Sequence, residues 1–379
     1  MKKDKKIEKF LHNSVKIKIV GVGGAGGNVV SRIREKKLET LEYVVINTDL
    51  QGLNHSKADT KIQIGKNACR GLGAGMDPDK GREAAEENIE EINQVVQGAD
   101  LIFLACGLGG GTGSGASPIV ASLAKQSGAL VIGVVTKPFS FEGEKRMEIA
   151  EDAWQKIYNE VDALVTIAND RIFNLVDEKT PILEAFGKID SVLKQGVEGI
   201  VNLIACPGLI NLDFANIKTT LSNTGSALLG IGKSQGEERA KKAAQMAISS
   251  PLLDISIEGA KRILFNIAGG SDMSLVEIHD AARVITQYIA KDSKVIFGTS
   301  FDEDLKKGEM KVTVIAGGFG DELKTIGSTL PLGIKIPVNE ETKEEKEKEA
   351  EEKKEELMPS FEDKELEIPA FLRRKKKKY

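Results

Sequence analysis

Two groups of residues in this 379-residue chain are typed and spaced for chemistry. The first is a pair in NLDFANIK (211–218), which follows a Pro-Gly turn: Asp213 and, three residues later, Asn216. An acid just ahead of an amphipathic segment can cap the coming helix. It can equally be half of an active site whose other half lies elsewhere. The second group is glycine. GVGGAGGN (21–28) and GLGGGTGSG (107–115) each leave an apolar, strand-like run and open a helical one. Glycine lets backbone N–H groups close on phosphate oxygens, and a helix N-terminus adds a favourable dipole. Gly21, Gly23 and Gly26 satisfy G-x-G-x-x-G, with Asp49 near the end of the next strand, which is the dinucleotide fingerprint in its expected context. The second loop brings hydroxyl donors, Thr112 and Ser114, and two such loops on neighbouring strands would surround a polyphosphate from two sides. A Walker loop is absent: LGIGKSQG (229–236) has Ala227 where the first glycine belongs.

Alternating elements must position these loops. Strands are expected in VKIKIV (15–20), LEYVVINTD (41–49), DLIFLACG (100–107), LVIGVVTKPF (130–139) and DALVTIAND (162–170). Between them, 28–38, 81–99, 117–129 and 144–161 have helical spacing, with Pro118 near the first turn of the third. Such alternation predicts an α/β fold with a Rossmann-like parallel sheet covered on both faces. A long central helix follows, with Thr180 and Pro181 suited to its start and Ile182, Ile189, Leu193, Val197, Ile200 and Ile204 on one face. Helical stretches at 236–249 and 274–290, with strand-like runs at 259–270, 294–301 and 310–319, predict a smaller α+β C-terminal domain.

Composition excludes several classes. At 41% hydrophobic, 29% charged and a net charge of -4, nothing chain-wide marks a nucleic-acid binder. MKKDKKIEKF has no apolar stretch behind it, so no secretory signal is expected, and no apolar run approaches the ~18 residues of a membrane span. Cys69, Cys106 and Cys206 are odd in number and far apart, which fits a reducing cytosol and no metal centre. From about residue 339 the pattern collapses into EETKEEKEKEAEEKKEEL (340–357), which has no apolar face and reads as a solvated linker. LEIPAFLRRKKKKY (366–379) regains apolar residues before six basic ones and reads as a docking peptide. The expected organisation is a tail (1–13), a nucleotide domain (14–179), the central helix (180–206), the α+β domain (207–321), a charged linker (322–365) and the terminal peptide (366–379).

GGGTGSG (109–115) resembles the tubulin signature. NTD (47–49), RGLGAG (70–75), PFSFEGEKR (138–146), ANDRI (168–172), PGLINLDFA (207–215) and AGGSDMSL (268–275) resemble, in order, the FtsZ family, the prokaryotic tubulin homologues. The resemblance covers roughly residues 15 to 320, and EIPAFLR (367–373) resembles that family's C-terminal peptide. It implies a GTPase that polymerises head to tail into filaments of the cytokinetic ring, in the cytoplasm at midcell beneath the membrane. It implies GTP or GDP, with Mg²⁺, on Gly24, Ala25, Gly26, Gly27 and Asn28 and on Gly111, Thr112 and Gly113. Glu142 and Arg146 fall on the sugar and phosphate side, Asn169 and Asp190 on the guanine side. It also implies a membrane-tethering division protein of the FtsA kind docking at residues 366–374, through Ile368, Phe371 and Leu372. The basic run either adds attraction to anionic lipid, at about 1 kcal/mol per charge near the surface, or is screened and adds nothing.

In this family the loop after the central helix enters the next subunit's nucleotide site, where its acids position the cation and the attacking water. Asn211 and Asp213 match; Asn216 stands where the family usually has Asp. Asn keeps the shape and one acceptor oxygen but loses the charge and cannot act as a base. One reading is therefore a GTP-binding filament scaffold that hydrolyses slowly. Another is that Asp213 suffices. A third class, a Rossmann oxidoreductase, leaves the second glycine loop unexplained.

Overall fold

The computed structural model describes residues 15–36, 41–174, 176–177, 179–205, 213–249, 257–290, 292–302 and 305–319. The expected tail, linker and terminal peptide lie outside them.

Strand β1 (Ile17–Val22) is buried at every position, and β4 (Leu101–Gly107) and β5 (Leu130–Lys137) are buried over most of their length. Such near-continuous apolar strands are stable only where helices cover both faces of a parallel sheet. Accordingly β1 pairs in parallel with β2 (Leu41–Asn47) and with β4. β3 (Thr60–Gln63) extends the β2 side, and β5 and β6 (Ala163–Ala168) extend the β4 side. The resulting order, 3-2-1-4-5-6, reverses at β1 and β4. In open α/β sheets the crevice beyond the carboxyl ends at that point is where ligands bind.

The side chains of β1 alternate between two cores. Ile17 and Ile19 join Val29, Val30 and Ile33 of α1 (Gly23–Ile33). Val20 and Val22 join α3 (Pro78–Glu87), α4 (Ile89–Val96), α5 (Gly111–Gln126) and α6 (Glu144–Glu160). A short helix, α2 (Leu50–His55), follows β2. The central helix α7 (Ile182–Ala205) adds Val197, Ile200 and Val201 to the first core. It lies close on the sheet: a Cβ at Gly196 would fall 2.0 Å from Leu229, and one at Gly199 2.6 Å from Thr313.

After α8 (Phe214–Leu221), β7 (Gly225–Gln235) pairs with β6, so the sheet continues without a break. β10 (Glu309–Gly317) is antiparallel to β7 and to β8 (Arg262–Gly269), and β9 (Lys294–Phe301) closes the edge. Among the described residues this makes one ten-stranded sheet. α9 (Arg239–Ile248) and α10 (Leu275–Thr286) cover a third core on β8 and β10.

Several element bounds differ from the sequence expectation, each for a physical reason. α1 starts at Gly23, five residues before Asn28, and α5 at Gly111, so both glycine loops are first turns of helices and Pro118 lies inside α5. The expected helix 81–99 is two, broken at Asn88 (φ −120°, ψ 28°), whose side-chain oxygen accepts from Gly65 N at 2.8 Å. β2 ends at Asn47 because Asp49 turns to cap α2, accepting from Gln51 N and Gly52 N. β6 ends at Ala168, where a 3₁₀ turn begins at Asn169.

Candidate functional site

A cleft of about 560 Å³ opens at the carboxyl ends of β1, β4 and β5, where the sheet order reverses. Its floor is backbone. The N-caps of α1 and α5 are Val22 and Gly110, and neither helix has a side-chain acceptor on its first-turn N–H groups. Those donors have no intrahelical partner, so two partial positive ends face one cavity. The loops are also locked together. A Cβ at Gly107 would sit 2.6 Å from Ala25 Cβ, and one at Gly23 3.1 Å from Gly113 N. Gly109, at φ +88°, turns the chain beneath Arg146.

The wall carries the polar groups. Glu142 Oε2 pairs with Arg146 Nη1 at 2.9 Å, and Glu142 Oε1 accepts from Phe139 N at 2.9 Å. The two side chains therefore pair with each other on the cleft wall. Arg146 Nε is buried without a hydrogen-bond partner, an unspent donor at the cleft. The Thr112 hydroxyl lies 2.6 Å from the Thr48 hydroxyl. Ser114, which the sequence offers as a second hydroxyl donor, does not line the cleft; its Oγ accepts from Gly109 N at 2.9 Å inside the loop.

Of the residues singled out from sequence, the structure gathers Gly24, Ala25, Gly111, Thr112, Gly113, Glu142, Arg146 and Asn169 around this cleft. Gly27 and Asn28 line an adjoining hollow of about 630 Å³ that shares Gly24, Asn47 and Asp49 with it. Gly26 lines neither; it lets α1 approach β4, where a Cβ would lie 2.3 Å from the Ala105 carbonyl oxygen. The Asp190 side chain and all of Asn211 lie outside the described residues. Thr136 and the stacked pair Phe139 and Phe141, ring centroids 4.8 Å apart, also line the cleft. The signal that finds them is position, since Thr136 lies at the carboxyl end of β5 and the two phenylalanines follow it.

Asp213 and Asn216 are elsewhere. Asp213 is exposed at the N-cap of α8, but its carboxylate makes no capping hydrogen bond. Asn216 is exposed one turn on. Lys218 Nζ donates to the Gly128 carbonyl at 2.9 Å, and Thr224 N donates to the Asp162 carbonyl at 2.7 Å. Gly128 and Asp162 precede β5 and β6, so α8 sits at the amino ends of the strands whose carboxyl ends form the cleft. An eight-residue strand at ~3.3 Å per residue puts the two about 25 Å apart.

The buried thiols are not nucleophiles. Burial pushes Cys106 up to about 12, and Cys69 is raised by burial too, so both stay protonated. A glycine cradle, two uncapped helix ends and an unspent arginine donor fit a polyphosphate. Asp49, at the edge of the cleft, caps α2, its two carboxylate oxygens accepting from Gln51 N and Gly52 N.

Sheet order, glycine-lined cleft and second α+β half together define a GTPase domain of the tubulin type. Residues 16–177 match the family model described as "Tubulin/FtsZ family, GTPase domain", and residues 225–320 match "FtsZ family, C-terminal domain". A structure described as an empty FtsZ dimer from M. jannaschii superposes with a TM-score of 0.78 at 42% identity, covering 83% of this chain and 92% of that one. The chain belongs to the FtsZ family. CetZ1 from Haloferax volcanii, a GDP-bound monomer (24% identity, TM-score 0.70, 83% of this chain and 98% of that one), shares the fold. So does CetZ2, a GTPγS-bound protofilament (23%, 0.70, 90% and 100%).

Proposed function

We propose that this chain binds GTP in the cleft at the carboxyl ends of β1, β4 and β5 and hydrolyses it only when a second copy stacks head to tail. One observation carries the reading: the cleft and the Asp213–Asn216 helix end lie at opposite ends of the same strands. A single chain holds two half-sites that cannot meet, and translation along the strand direction brings the lower half of one copy onto the upper half of the next. Repetition of that contact is heterologous and open, so it makes a filament. The dimeric M. jannaschii FtsZ and the CetZ2 protofilament support such self-association.

In the assembled site the uncapped N-termini of α1 and α5 and the Arg146 guanidinium hold the phosphates. Asp213 of the next copy orients the attacking water. Phosphoryl transfer depends mainly on positioning and charge, so a single carboxylate is enough for turnover. Mg²⁺ would be held chiefly by the nucleotide phosphates, as it is where dedicated protein ligands are few. Asn216 is exposed beside Asp213 and carries no charge, which favours slow turnover and long-lived filaments as a second reading. In a dividing cell the filament forms the cytokinetic ring, and residues 366–374 recruit a membrane-tethering protein of the FtsA kind; the resemblance of EIPAFLR supports this. Deleting residues 366–379 then abolishes recruitment and spares polymerisation.

Phosphate release and light scattering across a protein dilution series test the reading. Turnover per chain is expected to rise with concentration, together with scattering. Constant turnover per chain down to dilute monomer contradicts it.

A further inference from the structure

The geometry points to Thr48 as a positioning residue that fixes the proton of the Thr112 hydroxyl so that Thr112 donates into the cleft. This rests on the reading that the cleft holds a nucleotide's phosphates. Thr48 follows β2 and has no exposed surface, while Thr112 stands in the first turn of α5 and lines the cleft. Their hydroxyl oxygens are 2.6 Å apart, so one donates to the other. A buried hydroxyl proton has to find an acceptor. The other candidate beside Thr48 is the Cys69 sulfur, a weak acceptor, and the Cys69 thiol itself is directed at the Lys80 carbonyl at 4.0 Å. The Thr48 proton therefore goes to Thr112 Oγ1. Thr112 is left with its own proton and one direction to send it, toward an anion on the helix end. Two hydroxyls in series polarise each other, so the outer one is the better donor. Neither Thr48 nor its hydroxyl lines the cleft, and its effect passes through Thr112 alone.

The test measures GTP affinity in dilute, unassembled protein by fluorescence of a labelled nucleotide, with thermal unfolding of each variant alongside. Thr48→Val removes the hydroxyl at nearly constant volume and is expected to weaken binding roughly 3- to 10-fold, the factor of one ordinary hydrogen bond. Thr48→Ser is expected to restore most of the affinity. The decisive comparison is the double variant: in a Thr112→Val background the Thr48→Val effect is expected to vanish, because the residue through which it acts is gone. A loss that persists in that background is a structural effect and overturns the assignment, as does Thr48→Val binding like wild type. If Thr48→Val does not fold, Thr48→Cys, a weaker donor, takes its place with the same expected direction. Absence of GTP binding by the unaltered chain instead defeats the nucleotide reading itself, so the two failures are distinguishable.

Discussion

Lys218 donates to the Gly128 carbonyl at 2.9 Å, and this bond ties the helix carrying Asp213 and Asn216 to the end of the sheet opposite the glycine cleft. The consequence is geometric. Any chemistry that needs both Asp213 and the cleft requires two molecules, and changes at one end should leave the isolated function of the other intact.

Asn216→Asp is therefore expected to leave GTP affinity of the dilute monomer unchanged while raising phosphate release by the assembled protein. Restored charge and base character set the scale at about tenfold or more. Phosphate release measured alongside scattering checks it. Equal turnover of the two proteins means that Asp213 carries the chemistry alone and Asn216 is neutral.

Gly110→Asp should separate stability from function. Gly110 has φ −94°, and a Cβ there would have nothing within 4 Å, so a side chain fits. An Asp at this N-cap satisfies first-turn N–H groups of α5 and complements its dipole, which adds about 0.5–1 kcal/mol. The same carboxylate occupies the donors proposed for phosphate and repels it. The melting temperature should rise slightly while GTP affinity falls at least tenfold; a variant that is both more stable and equally avid contradicts the assignment of the phosphates to this helix end.

Two glycines of the first loop, Gly24 and Gly26, should respond oppositely to alanine. Gly24 has open space around it, so Gly24→Ala is tolerated and gains a few tenths of a kcal/mol to ~1 kcal/mol in helix propensity. Gly26→Ala drives a Cβ to 2.3 Å from the Ala105 carbonyl oxygen, where only backbone movement relieves the clash. A loss of about 3 kcal/mol or failure to fold is expected, read by denaturant unfolding.

That contrast marks how far the sequence could be read. Parallel strands buried on both faces write themselves as apolar runs, so β1, β4 and β5 were legible, and glycine loops directly after them located the cleft. Which glycines line the cleft and which touch a neighbouring strand was not legible, because Gly24 and Gly26 differ only in what packs against them. Nor was the break at Asn88, since its cause is a hydrogen bond to Gly65, 23 residues away. β3 and β7 escaped for a related reason: a four-residue edge strand and a glycine-interrupted one carry little periodicity of their own. The motif Asp213-x-x-Asn216 was visible as a candidate, but its distance from the cleft emerges only once Gly128 and Asp162 are seen beneath α8.

Acid stability should depend on Arg239. Its side chain is only 8% exposed and reaches Asp272 at 2.7 Å and Glu277 at 2.6 Å. Hydrogen bonds from Arg239 hold both carboxyls below their ordinary values of 3.8 and 4.5. Depressed folded-state values mean stabilisation that is present above those ordinary values and is lost as pH falls through the depressed ones. Arg239→Met is expected to lower stability near neutral pH, because Asp272 and Glu277 lose the guanidinium they share. Its unfolding free energy should also vary less with pH below about 4.5 than that of the unaltered chain. Parallel pH profiles of the two proteins refute this.

The most direct measurement mixes two defective proteins. Gly110→Asp disables the cleft and leaves the α8 end intact, whereas Asp213→Ala does the reverse. Each alone should release little phosphate at concentrations where the unaltered chain is active. If the site is shared between stacked copies, the mixture forms contacts that pair an intact cleft with an intact Asp213, and phosphate release recovers to a substantial fraction of the unaltered rate. If every chain completes its own site, the mixture releases only the sum of its parts, and the split-site account is wrong.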